Sequence, residues 1–361
     1  MNSSHLLKQA GRFLYPAYEA PARRAFALFE RLGYRPANEY VLPFVPPTGA
    51  RLAAMLESDD YDNLERTLRK LHEDSVQTSL AAMMQSLDEL EKSDLWIDRL
   101  WGWYRNAHSQ GSRLALILGL IRHAGHKRDS ARPGILGRSK RQDARLALEE
   151  AEKLLDKAVK AAEDPVEMHI LRLLTARGLF KDEATNHRRF RRITDLAPLH
   201  YRAHLVMLEN LKKQWCGSDE AMLEFARTRA RQAPLGNPVR SLVMHAHLEL
   251  ALLTRQRHGI DPADYCQMPK VQQEIVDAWY DTFLQTPGGH DVFDEELCNY
   301  FAAMLHLCGR TDLAAMPLAQ MERRCLPQPW SRLGHSPKEK NNPAWIVDRI
   351  EMEMARKAKH F

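Results

Sequence analysis

The residues best suited to chemistry are histidines. "HYRAH" puts His200 and His204 four apart on one face of a helix, and "HAH" adds His245 and His247 further along. Three neutral imidazoles with an open fourth position make a catalytic zinc site, so His200, His204 and His245 are candidate ligands for a metal-dependent enzyme. The spacing argues against it. Residues two apart on a helix point about 200° around the axis, so His245 and His247 cannot share a face, and no HExxH or neighbouring carboxylate pair completes a familiar site. His204 and His245 fit better as contacts between helices. Cys216, beside Trp215, could be a nucleophile if a helix N-terminus lowered its pKa, but a small turn residue is the simpler reading. "GILGRSK" lacks the GxxxxGK[ST] spacing, and neither a GxSxG elbow nor a GxGxxG turn occurs. The expectation is therefore no catalytic residue, no metal and no cofactor.

Charge offers a second kind of chemistry. The net charge of +5 is uneven, because Arg122 to Arg145 carries eight Lys/Arg against Asp129 and Asp143. Inside that stretch Gly125, Pro133, Gly134 and Gly137 predict a break in any helix, so 125–142 reads as a long basic loop. Helix connections usually take about 2–8 residues. A loop this long and this charged predicts docking on an acidic partner through Lys127, Arg128, Arg132, Arg138, Lys140 and Arg141. The same basic loop, together with "HRRFRR" (187–192) and "RTRAR" (227–231), opens an alternative reading as a binder of nucleic acid or phosphate ligands. They offer one aromatic, Phe190, and the chain supplies 47 acids against 52 bases, which favours solvated helix faces.

The elements that must position these groups are helices. The chain is 361 residues long with 44% apolar and 27% charged residues, as for a globular chain of one large or two medium domains. No run of eighteen apolar residues suggests a membrane span, and the start "MNSSHLLKQAGRFLYP" lacks the pattern of a secretory signal, so a cytoplasmic location is expected. Five scattered cysteines form no disulfide framework and read as reduced, mostly buried thiols. Apolar residues recur at three- and four-residue steps almost throughout, which predicts an all-α fold. "EYVLPFVPPTG" (39–49), with three prolines, predicts an extended segment. The apolar stripes of 61–74 and 75–93 predict a hairpin.

In the middle of the chain the helices repeat. Ala-Pro-Leu recurs at 197–199 and 233–235, thirty-six apart, and Pro165 precedes Pro198 by thirty-three, which is a helix-pair period. Turns are expected near Pro165, Lys181, Pro198, Gly217 and Pro234. Further helices are expected around 271–283, 292–308, 313–324 and 345–359, the last closing the stack after a polar tether, "PQPWSRLGHSPKEKNNP".

The spacing, the phenylalanines Phe190 and Phe225, and the proline beyond each resemble tetratricopeptide repeats. More narrowly, "LKKQWCGSDEAMLEFAR" resembles the Trp-x-Gly-Ser turn of an uncharacterised bacterial family of TPR-like all-helical proteins. The resemblance covers roughly residues 50 to 260. It implies stacked antiparallel helix pairs in an α-solenoid with capping helices, and it carries no activity. In that frame Trp215 anchors the groove between pairs, Gly217 is a left-handed stop, Ser218 caps the next helix, and Phe225 and Pro234 complete the motif; Trp215 and Phe225 are expected to be largely buried. The predicted organisation is an N-terminal lead over 1–50, helical hairpins over 51–124, the basic loop over 125–142, TPR-like repeats over 143–260, and C-terminal helices with a cap over 261–361. The function expected is a non-catalytic scaffold that binds a protein partner, an acidic one, on a concave surface. The bacterial setting implied by the resemblance suggests a toxin-neutralising (immunity) or secretion-associated role. Membrane attachment is not expected, and nucleic acid is the less favoured partner.

Overall fold

A computed structural model describes residues 47–74, 87, 96–129, 135–161, 166–283, 294–321, 325–335 and 344–358. Within them every regular element is a helix: α1 Pro47–Glu57, α2 Tyr61–Asp74, α3 Trp96–Ala107, α4 Gln110–Asp129, α5 Ile135–Ala161, α6 Val166–Gly178, α7 Glu183–Leu196, α8 Tyr201–Asn210, α9 Asp219–Gln232, a 3-10 turn Pro238–Ser241, α10 Leu242–His258, α11 Pro262–Cys266, α12 Pro269–Phe283, α13 Asp294–Leu307, α14 Thr311–Gln320, α15 Trp330–Leu333 and α16 Ala344–Ala358. None is long and apolar enough to cross a membrane. The contacts fall into two units, one over Val45–Phe225 and one holding Ala226–Phe361.

In the first unit α1 packs on α2 and α3, α2 also on α4, and then sequence neighbours pack in turn, α3 on α4, α4 on α5, α5 on α6, α6 on α7, α7 on α8, with α4 and α8 also touching α6. Leu114, Ala115, Leu116, Ile117, Leu118 and Leu120 are all buried. A helix apolar on every side belongs inside, and α4 is the central helix of this unit. Trp96, Leu100 and Trp103 of α3 and Ala151, Leu154, Leu155 and Ala158 of α5 close on it.

The turns fall where local signals put them. Asp182 caps α7 by accepting from the Thr185 N–H at 2.6 Å, Ser218 caps α9 by accepting from the Ala221 N–H at 3.0 Å, and Pro198 and Pro234 lie just beyond α7 and α9. Pro165 and the expected hairpin partner of α2 (75–93, apart from Leu87) lie outside the described residues. Gly217 is a correction. It does not lie among the glycines with positive φ; a Cβ there would stand 2.2 Å from the Leu211 carbonyl oxygen, so close backbone approach, not handedness, demands glycine.

Three further expectations change. Pro47, expected in an extended segment, starts α1, since a proline at the first helical position gives up no hydrogen bond. The basic stretch is not a long loop, because α4 runs through Gly125 to Asp129 and α5 starts at Ile135 and carries Gly137. A helix-interior glycine costs only about 1 kcal/mol, which the burial of α4 offsets easily. The tether is partly packed: α15 buries Trp330, whose Nε1 donates to Asn299 Oδ1 at 2.8 Å, and Arg332 pairs with Glu249. In α16, Ile346, Ile350 and Met354 are buried on one face, as the periodicity predicts.

Candidate anion-binding site

The first unit holds a cavity of about 580 Å³ between α4, α5 and the end of α6. On α4, Leu118, Ile121, Arg122, Gly125 and Arg128 recur at three- and four-residue steps and share one face. From α5 the same spacing presents Arg141, Ala144, Arg145, Leu148 and Glu149, and α6 with the turn after it adds Leu174, Arg177, Gly178, Leu179, Phe180 and Lys181. Apolar side chains thus line the floor, while six cations and one carboxylate, Glu149, supply the charge. Arg145 already reaches Glu149 at 2.8 Å.

One wall is organised by Trp215. The Arg128 guanidinium carbon lies 4.7 Å from the ring centre and that of Arg177 5.8 Å from it, and the Phe180 ring sits 5.5 Å away. The indole Nε1 donates to Glu209 Oε1 at 3.4 Å. Two guanidiniums on one indole are each attracted to its π face while repelling each other. Burial lowers the Arg177 pKa first, Glu209 opposes that, and Arg128 adds to it. Phe180 is 62% exposed, with its backbone in the left-handed region at φ 53°. Trp215 and Phe225 are half-buried, not largely buried, because Trp215 spends its ring on arginines and Phe225 packs edge-on against Phe190 at 5.4 Å.

The structure redistributes the predicted basic residues. Arg128 and Arg141 line the cavity, Lys127 lies in the last turn of α4, Arg138 (exposed) lies three residues and Lys140 (half-buried) one residue before Arg141 on α5, and Arg132 is outside the described residues. Arg122, Arg145, Arg177 and Lys181 belong to the same cavity and were not singled out from the sequence. Their spacing on α4 and α5 was readable; that α6 delivers Arg177 to them was not.

The remaining candidates have structural partners. His200 caps α8, accepting from the Ala203 N–H at 3.3 Å; His204 Nδ1 donates to the His200 carbonyl at 2.9 Å and its ring meets Phe190; the His245 ring packs at a tilt against Tyr300, 4.5 Å between centres. No group of three or more His, Cys, Asp or Glu placed to hold a metal occurs among the described residues, so the His200/His204/His245 constellation is not assembled. Cys216 accepts from Asn186 and donates to the Asn210 carbonyl at 3.1 Å, and burial, with Glu183 and Asp182, raises its pKa, the opposite of activation. Asn210 in turn donates to the Leu173 carbonyl (2.9 Å) and Asn186 Oδ1 (2.6 Å), pinning α6, α7 and α8 together. Two predicted basic stretches are likewise engaged: Arg189 forks onto Glu152 at 2.7 and 3.0 Å, and Arg227 onto Glu274 at 2.8 and 3.1 Å.

In the second unit His247, 1% exposed, accepts from or donates to Tyr265 Oη through Nδ1 (3.0 Å) and meets Glu274 through Nε2 (2.9 Å). Burial lowers the His247 pKa in spite of Glu274. Burial alone would raise Glu274, but His247 and Arg227 hold its carboxyl below the usual range. A neutral His247 carrying its proton on Nε2 and accepting from the tyrosine satisfies all three groups. Comparison with family models, with curated proteins and with solved structures finds no match for this chain.

Proposed function

We propose that the chain is a non-catalytic, TPR-like interaction protein that docks an acidic protein partner on the cationic face of α4 and α5. One observation carries the reading: six cations and a single carboxylate converge on one cavity in the first unit, with Lys127, Arg138 and Lys140 flanking it. Such a field raises association rates with an acidic surface and repels basic ones. The alternative of a nucleic-acid or phosphate-ligand binder draws on the same cations of 125–142; the two other basic stretches add less to it, since Arg189 and Arg227 are paired with Glu152 and Glu274. An enzyme reading has no support from the histidines, each of which serves packing or capping.

The test uses Arg138→Glu with Lys140→Glu, two positions outside the cavity lining. A partner captured by affinity purification is purified and its association measured directly. The wild-type rate should fall steeply with added salt, and the double variant should associate about tenfold more slowly at low salt with little change in melting temperature. Equal rates for the two proteins at low salt, or the recovery of no protein that binds directly, refutes docking on this face.

A further inference from the structure

The cavity contains a vacancy in its own wall. Gly125 occupies the interior of α4, where glycine costs roughly 1 kcal/mol relative to alanine, yet a Cβ built there meets no atom within 4 Å. Packing gives no reason for the glycine. Gly178, across the cavity, is the contrast, because a Cβ there would come 2.6 Å from Leu148 Cδ1. A helix backbone left bare toward a cavity is where a flat group can lie against the chain.

The rest of the lining specifies what that group would carry. Leu118, Ile121, Leu148 and Leu174 give an apolar floor, and exposed Phe180 stands at the rim beside Trp215. In the same lining the arginines outnumber carboxylates, and the guanidinium fork matches phosphate oxygens in pairs. Arg128 and Arg177 both contact one indole, which fixes two guanidiniums in the cavity lining. A volume of about 580 Å³ suits a small molecule. We propose that the cavity binds a phosphorylated small molecule of nucleotide size, its aromatic body lying over the α4 backbone at Gly125 and its phosphate held by Arg128, Arg177 and Arg145. This site draws on the same cations as partner docking, but the ligand is bound by the isolated chain and is measured without a partner.

The experiment is calorimetric titration of the purified full chain with ATP, AMP, pyrophosphate, adenosine and citrate. ATP or AMP should bind more tightly than pyrophosphate or adenosine alone, because each of those supplies half of the recognition, and citrate should bind weakest. Arg128→Gln with Arg145→Gln should weaken nucleotide binding at least about tenfold, as expected for lost charged hydrogen bonds. Gly125→Leu is the decisive variant: it should raise the melting temperature, by restoring a helix-favouring residue in open space, and still weaken nucleotide binding at least about tenfold by filling the cavity. The titrations need no partner, and Gly125→Leu keeps every cation in place and should leave the partner's association rate within about twofold, so failure of one proposal is separable from failure of the other. No binding of any phosphate compound at millimolar concentration, equal affinity for pyrophosphate and ATP, or unchanged nucleotide affinity in a folded Gly125→Leu protein overturns the proposal.

Discussion

Replacing Trp215 by alanine removes a ring that is half-buried and touched by two arginines and a phenylalanine. Full burial would set the loss at about 3–5 kcal/mol. The structure predicts less. Each cation–π contact at a partly exposed site contributes about 0.5–1 kcal/mol, and the Phe180 contact about 0.5–1.5. Relief of the Arg128–Arg177 repulsion returns part of this, so the expected loss is about 1–3 kcal/mol. For a unit of this size that lowers the thermal midpoint by roughly 2–12 °C, measurable by scanning calorimetry of the purified chain. Trp215→Phe separates the ring from its N–H: it keeps the stacking surface and forfeits only the 3.4 Å bond to Glu209, so it should recover most of the loss. An unchanged midpoint in the alanine variant, or a phenylalanine variant as unstable as the alanine one, refutes the assignment of Trp215 as the platform for Arg128 and Arg177.

Gly217→Ala should cost about 1–3 kcal/mol, read from urea midpoints, because its Cβ would stand 2.2 Å from a backbone oxygen and force the turn to move. The pH dependence of the second unit follows from His247. Its pKa is lowered on folding, so the unfolded chain takes the proton first and the stability held above about pH 6.5 is lost as pH falls through the folded pKa; His247→Gln should flatten that limb of the stability–pH curve. Glu152→Gln should destabilise by about 2–4 kcal/mol in thermal melts, since it strands Arg189 at a half-buried site. Four of the five thiols are buried, so native protein should expose at most Cys216 to a thiol reagent, and slowly, whereas denatured protein should titrate five.

What the sequence determined by itself is local. Apolar residues at three- and four-residue steps dictate helices because one helix face must be buried, and Asp182, Ser218 and the prolines at 198 and 234 end or start them through groups a few residues away. The same locality misled at Gly125, where intrinsic cost argues for a break and only the packing of α4 against α3 and α5 overrides it. It misled again at Gly217, whose constraint is a carbonyl six residues back. The partners that decide the chemistry are distant in the chain. Nothing local ties Arg177 to Arg128, Asn210 to Asn186, or Glu274 to His247 and Arg227. Helical periodicity states which face a residue occupies, not which other face it will meet. Tertiary packing alone turned a run of basic residues, read as a loop, into the rim of an apolar cavity.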